Sequence, residues 1–183
     1  MVWHLVRWAD AAEVPWKNGG GVTRELVVTG GDPFEWRLSA ATIDRDGPFS
    51  EFPGVDRVLV VLRGRGVMLD IDGAPTRLDT PGAGVAFAGE APVGSRLIDG
   101  ASVDLNLMTR RSLLQATWSV VAAQEWSVTD EVDVTVVHVL DGDVAADGSA
   151  LAVGDTVWWE SAADAPGITG IGSLVRFGLT RRR

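Results

Sequence analysis

Cysteine is absent from this chain of 183 residues. That excludes disulfide staples and thiol nucleophiles, and it removes the softest metal ligands. Histidine is almost as scarce: His4 and His138 are the only two, and neither stands in an H-x-H pair. A Ser-His-Asp relay would have to use one of them, and no G-x-S-x-G is present to supply the nucleophile. Walker A and G-x-G-x-x-G sequences are missing too. The longest apolar run, Val58–Leu62, falls far short of the roughly 18 residues that span a membrane. The start, Met1-Val-Trp-His-Leu-Val-Arg-Trp8, has no apolar h-region, so secretion is not expected and a cytoplasmic location is. A net charge of −9 argues against nucleic acid and anionic membrane as partners. The one basic run, Arg181-Arg182-Arg183, reads as a solvated tail.

What the chain does contain is β-forming sequence cut by turn residues. Nearly half of it is apolar (46%), enough to bury a substantial core. Asp10–Glu13 predicts one helical turn, N-capped by Asp10 and stopped before Pro15, and Ser112–Ala116 predicts another. Elsewhere short strands are predicted at 22–28, 34–43, 57–62, 67–71, 84–87, 103–108, 117–122, 134–140, 156–159 and 174–179. An internal repeat organises them. Arg57-Val-Leu-Val-Val-Leu-Arg-Gly64 is echoed by Thr135-Val-Val-His-Val-Leu-Asp-Gly142. A strand ending at Asp72-Gly73 is echoed by one ending at Asp147-Gly148, and Pro81–Phe87 by Val153–Trp159. Strand, glycine turn, strand, Gly-Asp-type turn and strand, in that order, resemble the cupin superfamily. The predicted fold is therefore all-β, a double-stranded β-helix in two fused cupin-type halves, residues 1–110 and 111–183. A metal cupin needs two histidines in one strand and another later. Aligning the repeats sets His138 opposite Val60, which suits a packed, hydrogen-bonded core histidine better than a ligand. His4, between two tryptophans, reads as a packing or edge residue. No metal and no other cofactor is expected.

The first third of the chain concentrates the polar, directional groups. Pro15-Trp16-Lys17-Asn18-Gly19-Gly20-Gly21 sets an aromatic, an ammonium and a carboxamide beside three glycines, whose backbone N–H groups can form an anion-binding concavity. A β-bulge with a packing Trp explains the glycines equally well. Lys17 is the single lysine against 15 arginines, which suggests that its place needs a compact ammonium rather than a fork. The competing reading is a solvated loop. Along Phe34–Ala41, alternation puts Phe34, Trp36 and Leu38 on one face and Glu35, Arg37 and Ser39 on the other. The loop Asp46–Arg57 carries Phe49, Ser50 and Phe52 and ends in an Asp-Arg pair. Asp104 and Asn106 alternate with Val103, Leu105 and Leu107. In the second half, Val134-Thr135 replaces the Asp-Arg pair and no glycine-rich loop recurs, so a single pocket is expected.

These motifs resemble the HutD/Ves family: Pro15–Gly21 with Thr23-Arg-Glu25, Trp36-Arg37-x-Ser39-x-Ala41, Gly47-Pro-Phe-Ser-x-Phe-Pro-Gly-x-Asp-Arg57 and Asp104-x-Asn106-x-Met108. The resemblance covers about residues 1–180. It implies a compact bicupin without the usual metal ligands, associated with histidine-utilisation genes. The implied role is regulatory, through binding of an acidic intermediate such as N-formylglutamate; the Ves branch is linked to environmental stress. It marks Trp16, Lys17, Asn18, Arg24, Arg37, Ser39 and Arg57 as pocket residues, to which the motifs add Gly19, Phe49, Ser50 and Asn106. The expected partner is a small carboxylate, and a homodimer is compatible with this reading. A non-enzymatic binding protein is the leading expectation. One alternative is a metal-independent isomerase or lyase acting on a small acid or sugar, with Lys17 as general base or electrostatic catalyst. Another is a structural module, which predicts Trp158 or Trp159 exposed in a patch.

Overall fold

Alternating apolar residues bounded by Gly, Pro and Asp build strands throughout the computed structural model, which describes residues 2–15, 21–128 and 131–183. The strands are β1 (His4–Val6), β2 (Glu13–Pro15), β3 (Gly21–Val28), β4 (Trp36–Ile43), β5 (Gly47–Pro48), β6 (Val55–Gly64), β7 (Val67–Ile71) and β8 (Ala74–Leu78). They continue as β9 (Gly84–Ala88), β10 (Val93–Leu97), β11 (Ser102–Arg110), β12 (Leu114–Ala122), β13 (Val134–Ala146), β14 (Ser149–Leu151), β15 (Thr156–Trp159) and β16 (Ile168–Arg181). Among the described residues the only helical pieces are the 3-10 turns Ala123–Glu125 and Ala162–Asp164, and no helix is long and apolar enough to cross a membrane. Neither predicted helical turn forms. Glu13–Pro15 pairs with β3 as an edge strand, where Pro15 is tolerated, and Leu114 opens a strand paired along its length with β16.

By internal contacts the chain divides into two units, Ala12–Leu113 and Met1–Ala11 with Leu114–Arg183. The second unit takes in the first strand because β1 pairs with β15. Two contacts fasten it there. Trp3 Nε1 donates to Asp147 Oδ2 at 3.0 Å, and Arg7 pairs with the buried Asp155 at 2.7 Å. This places the first eleven residues differently from the division at 110/111 read from the sequence.

The Ala12–Leu113 unit holds two sheets, ordered β2-β3-β4-β11-β6-β9 and β5-β10-β7-β8. Between them Ile43, Leu59 and Val61 pack against Val67, Leu69, Leu78, Phe87 and Val93. In the other unit one sheet, β1-β15-β13-β16-β12 with β14 beside β13, wraps Val137, Val139, Val157, Trp159 and Leu174. Trp159 is only 1% exposed and Trp158 stacks on His4 with ring centroids 4.1 Å apart, so these tryptophans form no open patch. His138 is buried, and its Nδ1 shares a 2.9 Å hydrogen bond with the Thr156 hydroxyl.

The repeated turns have a backbone cause. Gly64 and Gly142 both take positive φ (98° and 91°), and an added Cβ would come within 2.4 Å of the Ala101 carbonyl and 2.2 Å of the Ile171 carbonyl. No L side chain fits either place.

Candidate functional site

The site grows from the two-residue period of three neighbouring strands. In β4, Arg37, Ser39, Ala41 and Ile43 face the inside of the Ala12–Leu113 unit while Trp36, Leu38 and Ala40 are buried on the other face. Antiparallel pairing then fixes the rungs. Arg37 stands beside Met108 and Met108 beside Arg57; Ser39 beside Asn106 and Asn106 beside Leu59; Ala41 beside Asp104 and Asp104 beside Val61. The inward residues of these rungs other than Val61, together with Ile43, Val14, Pro15, Thr23, Pro48, Phe49, Ser50 and Phe52, line a cavity of about 490 Å³.

Arg57 is the centre of this wall. It is 5% exposed, and its guanidinium lies 5.0 Å from the centroid of Phe87, 5.2 Å from Phe49 and 5.6 Å from Phe52. Phe87 comes from β9, directly opposite Arg57 in register. The other two rings are brought by a loop stitched to Gly89, which accepts from Phe52 N–H and donates to the Val55 carbonyl, both at 2.7 Å. A Cβ at Gly89 would approach the Phe52 carbonyl to 2.6 Å, so the close fit needs glycine. Phe49 N–H donates to the Val93 carbonyl at 2.8 Å, anchoring the start of the loop to β10. The guanidinium donates weakly, through Nη1 to the Ser50 carbonyl at 3.3 Å and through Nε to Asn106 Oδ1 at 3.5 Å. No carboxylate pairs with it among the described residues. Burial, and then the charge of Arg37, lower its pKa to about 10. Even so it stays cationic at neutral pH. Its sequence neighbour Asp56 points away and pairs with Arg111 at 2.7 Å, a guanidinium that also grips Glu90 in a bidentate pair.

The other charges on the wall differ in kind. Arg37 Nε lies 3.1 Å from Glu25 Oε2, at ion-pair distance but without hydrogen-bond alignment. Asp104 is fully buried; its Oδ1 accepts from the Ser102 hydroxyl at 2.6 Å and its Oδ2 has no partner among the described residues. Burial pushes its carboxyl up to about 6, against the opposing effect of the Ser102 bond. Two guanidiniums, one carboxylate and no imidazole form a poor donor set for a divalent cation, so the metal common among cupins does not fit this wall. Among the described residues no cluster of three His, Cys, Asp or Glu is arranged to hold a metal.

Of the residues singled out in the sequence, Arg37, Ser39, Phe49, Ser50, Arg57 and Asn106 come together on this cavity. Arg24 does not line it. Alternation along β3 turns Thr23 toward the cavity, and the Arg24 guanidinium pairs with Glu13. Trp16, Lys17, Asn18 and Gly19 lie outside the described residues. Asp104, Phe52 and Phe87 were not among the candidates. The alternation of β11 already marked Asp104, but a carboxylate is an unexpected member of an anion site.

The fold defines a cupin-type β protein. Its chain superposes on a cupin 2 conserved barrel domain protein from Leptotrichia buccalis with a TM-score of 0.59, covering 92% of each chain at 11% identity, a likeness of fold alone. More narrowly, the chain belongs to the HutD family, whose model matches residues 8–173. It is 35% identical to Protein Ves of Cronobacter sakazakii over 156 residues, 82% of this chain and 85% of that protein. A match at 45% identity to an uncharacterized 21.2 kDa protein in the hutC 3′ region of Pseudomonas putida covers 57% of this chain and only 56% of that protein's length. HutD from Pseudomonas fluorescens SBW25, solved in a formate condition, has a TM-score of 0.84 at 31% identity with full coverage of both chains.

Proposed function

We propose that this protein is a non-enzymatic, small-acid-binding regulator of the HutD/Ves type, whose cavity takes a carboxylate such as N-formylglutamate. The observation that carries the reading is Arg57, a buried guanidinium with three aromatic rings around it and no carboxylate partner among the described residues. Burying an unpaired charge is costly, and the cost is repaid when a bound carboxylate completes a charge-assisted pair. A net charge of −9 does not draw anions in, so selectivity rests on the local wall. The place of a relative beside hutC supports a link to histidine utilisation. Calorimetric or thermal-shift titration with N-formylglutamate, urocanate and glutamate tests it. Ligand at ~100 times its dissociation constant raises stability by about 2.7 kcal/mol. No shift with any of the three, together with no effect of Lys17→Met, sinks the reading.

A metal-independent isomerase or lyase is the second reading, favoured by Asp104, a carboxyl near 6 inside a cavity and suited to act as a general base. Turnover of a small acid that disappears in Asp104→Asn or Lys17→Ala would establish it.

A further inference from the structure

The cavity wall is charged oppositely at its two ends. Arg37, Met108 and Arg57 share one rung, and Asp104 lies two rungs further along β11 on the same face, about 13 Å of strand away. Flanking Asp104, Ala41 of β4 and Val61 of β6 bring no polar side-chain atom. Its Oδ2 is a buried acceptor left without a donor among the described residues. Such an oxygen keeps the full cost of its lost hydration, and native proteins leave few of them without a reason.

We propose that Asp104 is the second recognition point of the site, selecting acids that carry an N–H donor at the end away from Arg57 and rejecting a second carboxylate there. The inference rests on the reading that a ligand carboxylate pairs with Arg57. Charge balance supports it: Arg37 already has Glu25 beside it, so among the described residues of the wall Arg57 is left as the cation without a carboxylate beside it. A second ligand carboxylate at the Asp104 end would meet like charge, whereas an amide N–H supplies what Oδ2 lacks. The χ2 torsion of an aspartate is broad, so the oxygen swings readily toward an arriving donor. For N-formylglutamate this arrangement turns the formamide toward Asp104 and leaves the carboxylates at the arginine end.

Glutarate and glutaramate form a matched pair of probes, equal in shape and differing only in whether one end is a carboxylate or a carboxamide. Both are titrated calorimetrically into the full chain at pH about 8, where a carboxyl near 6 is ionised. Among the described residues, the other charged groups on the cavity wall at that pH are Arg37 from β4 and Arg57 from β6, while β3 presents Thr23 and β11 presents Asn106. The expected result is about tenfold tighter binding of glutaramate. Asp104→Asn, which keeps the shape and the Ser102 bond, closes most of that gap, and Arg57→Met weakens binding of both about 100-fold. Equal affinities in the wild type, or a preference for glutarate, overturn the role of Asp104 and leave the arginine-end reading standing. A gap that survives Asp104→Asn does the same. If neither acid binds the wild type, both readings fall together.

Discussion

Arg57 and Thr135 hold corresponding places in the two units, and their surroundings show how one strand pattern serves two ends. The pairing of β6 with β11 skips a residue after Val61, and that of β13 with β16 skips one after Val139. Counting back from these bulges sets Arg57 against Thr135, Leu59 against Val137, and Asp104 against Leu174. Each of the first pair also has an aromatic beside it on the next strand, Phe87 for Arg57 and Trp159 for Thr135. In one unit the aromatic covers a guanidinium at the edge of a cavity. In the other, Trp159 is itself the filling, with Trp126 edge-on at 5.9 Å and Arg176 over the Trp126 ring at 5.7 Å. The difference is one of volume and charge at a few inward positions, not of strand order. A small residue beside a large aromatic makes core, while a long cation caged by rings leaves room beside it.

The largest effect comes from breaking the filled side. Trp159→Ala removes a side chain 1% exposed at the centre of its cluster, with an expected cost of 3–5 kcal/mol, about what is usual for emptying an aromatic site in a core. Chemical denaturation measures it. Ligand affinity of the fraction that remains folded stays unchanged. A loss of affinity in that folded fraction would overturn this expectation.

Most of the cavity wall was legible because alternation is a local signal. Arg37, Ser39 and Asn106 each sit between apolar neighbours in the sequence, so their common face follows from the period of a strand. The aromatic cage was not legible as a cage. Phe87 meets Arg57 only through the pairing of β6 with β9, which no local pattern encodes. Asp104 was visible as an inward residue, yet its chemistry argued against membership of an anion site. Arg24 is the converse case, since motif resemblance pointed to it and strand parity turned it away from the cavity. Short strands were the hardest elements to read. β2, β8 and β10 carry Pro15, Pro75 and Gly94, residues that signal turns unless a neighbouring strand recruits them.

Asp104 separates the two units by pH. Its folded pKa of about 6 lies above the ordinary carboxyl value of 3.8, so between these values the folded state holds more protons than the unfolded one. The sign is therefore negative: stability contributed at Asp104 falls as pH rises through that window, by about 3 kcal/mol in all. The corresponding Leu174 cannot titrate. Asp104→Asn is expected to raise the melting temperature at pH above 7 and to leave it nearly unchanged near pH 4. Equal shifts at both ends of a pH series would show that the carboxyl is not held neutral by burial.

Converting Arg57 toward its counterpart tests the charge. Arg57→Met keeps length and apolar volume while removing the cation, so the three phenylalanines retain a neighbour. Ligand affinity should drop about 100-fold, or about 2.7 kcal/mol. The free protein should lose no stability, because an unpaired buried charge is removed with its desolvation cost. A large loss of stability with affinity retained would mean that the cage exists to hold the first unit together.

Arg24 gives the smallest expected effect and the sharpest check on strand parity. Its side chain is 16% exposed and pairs with Glu13, whose own side chain is 59% exposed, so water screens much of the attraction. Pairs of this kind contribute about 0–1 kcal/mol. Arg24→Gln should leave stability within that range and ligand affinity within about threefold of the wild type, since Thr23 and not Arg24 faces the cavity. High salt should shrink the stability effect further, because screening acts on exposed pairs first. An affinity loss matching that of Arg57→Met would place the Arg24 guanidinium at the ligand after all. In that case Glu13 is the partner that the ligand displaces, and Glu13→Gln should tighten binding.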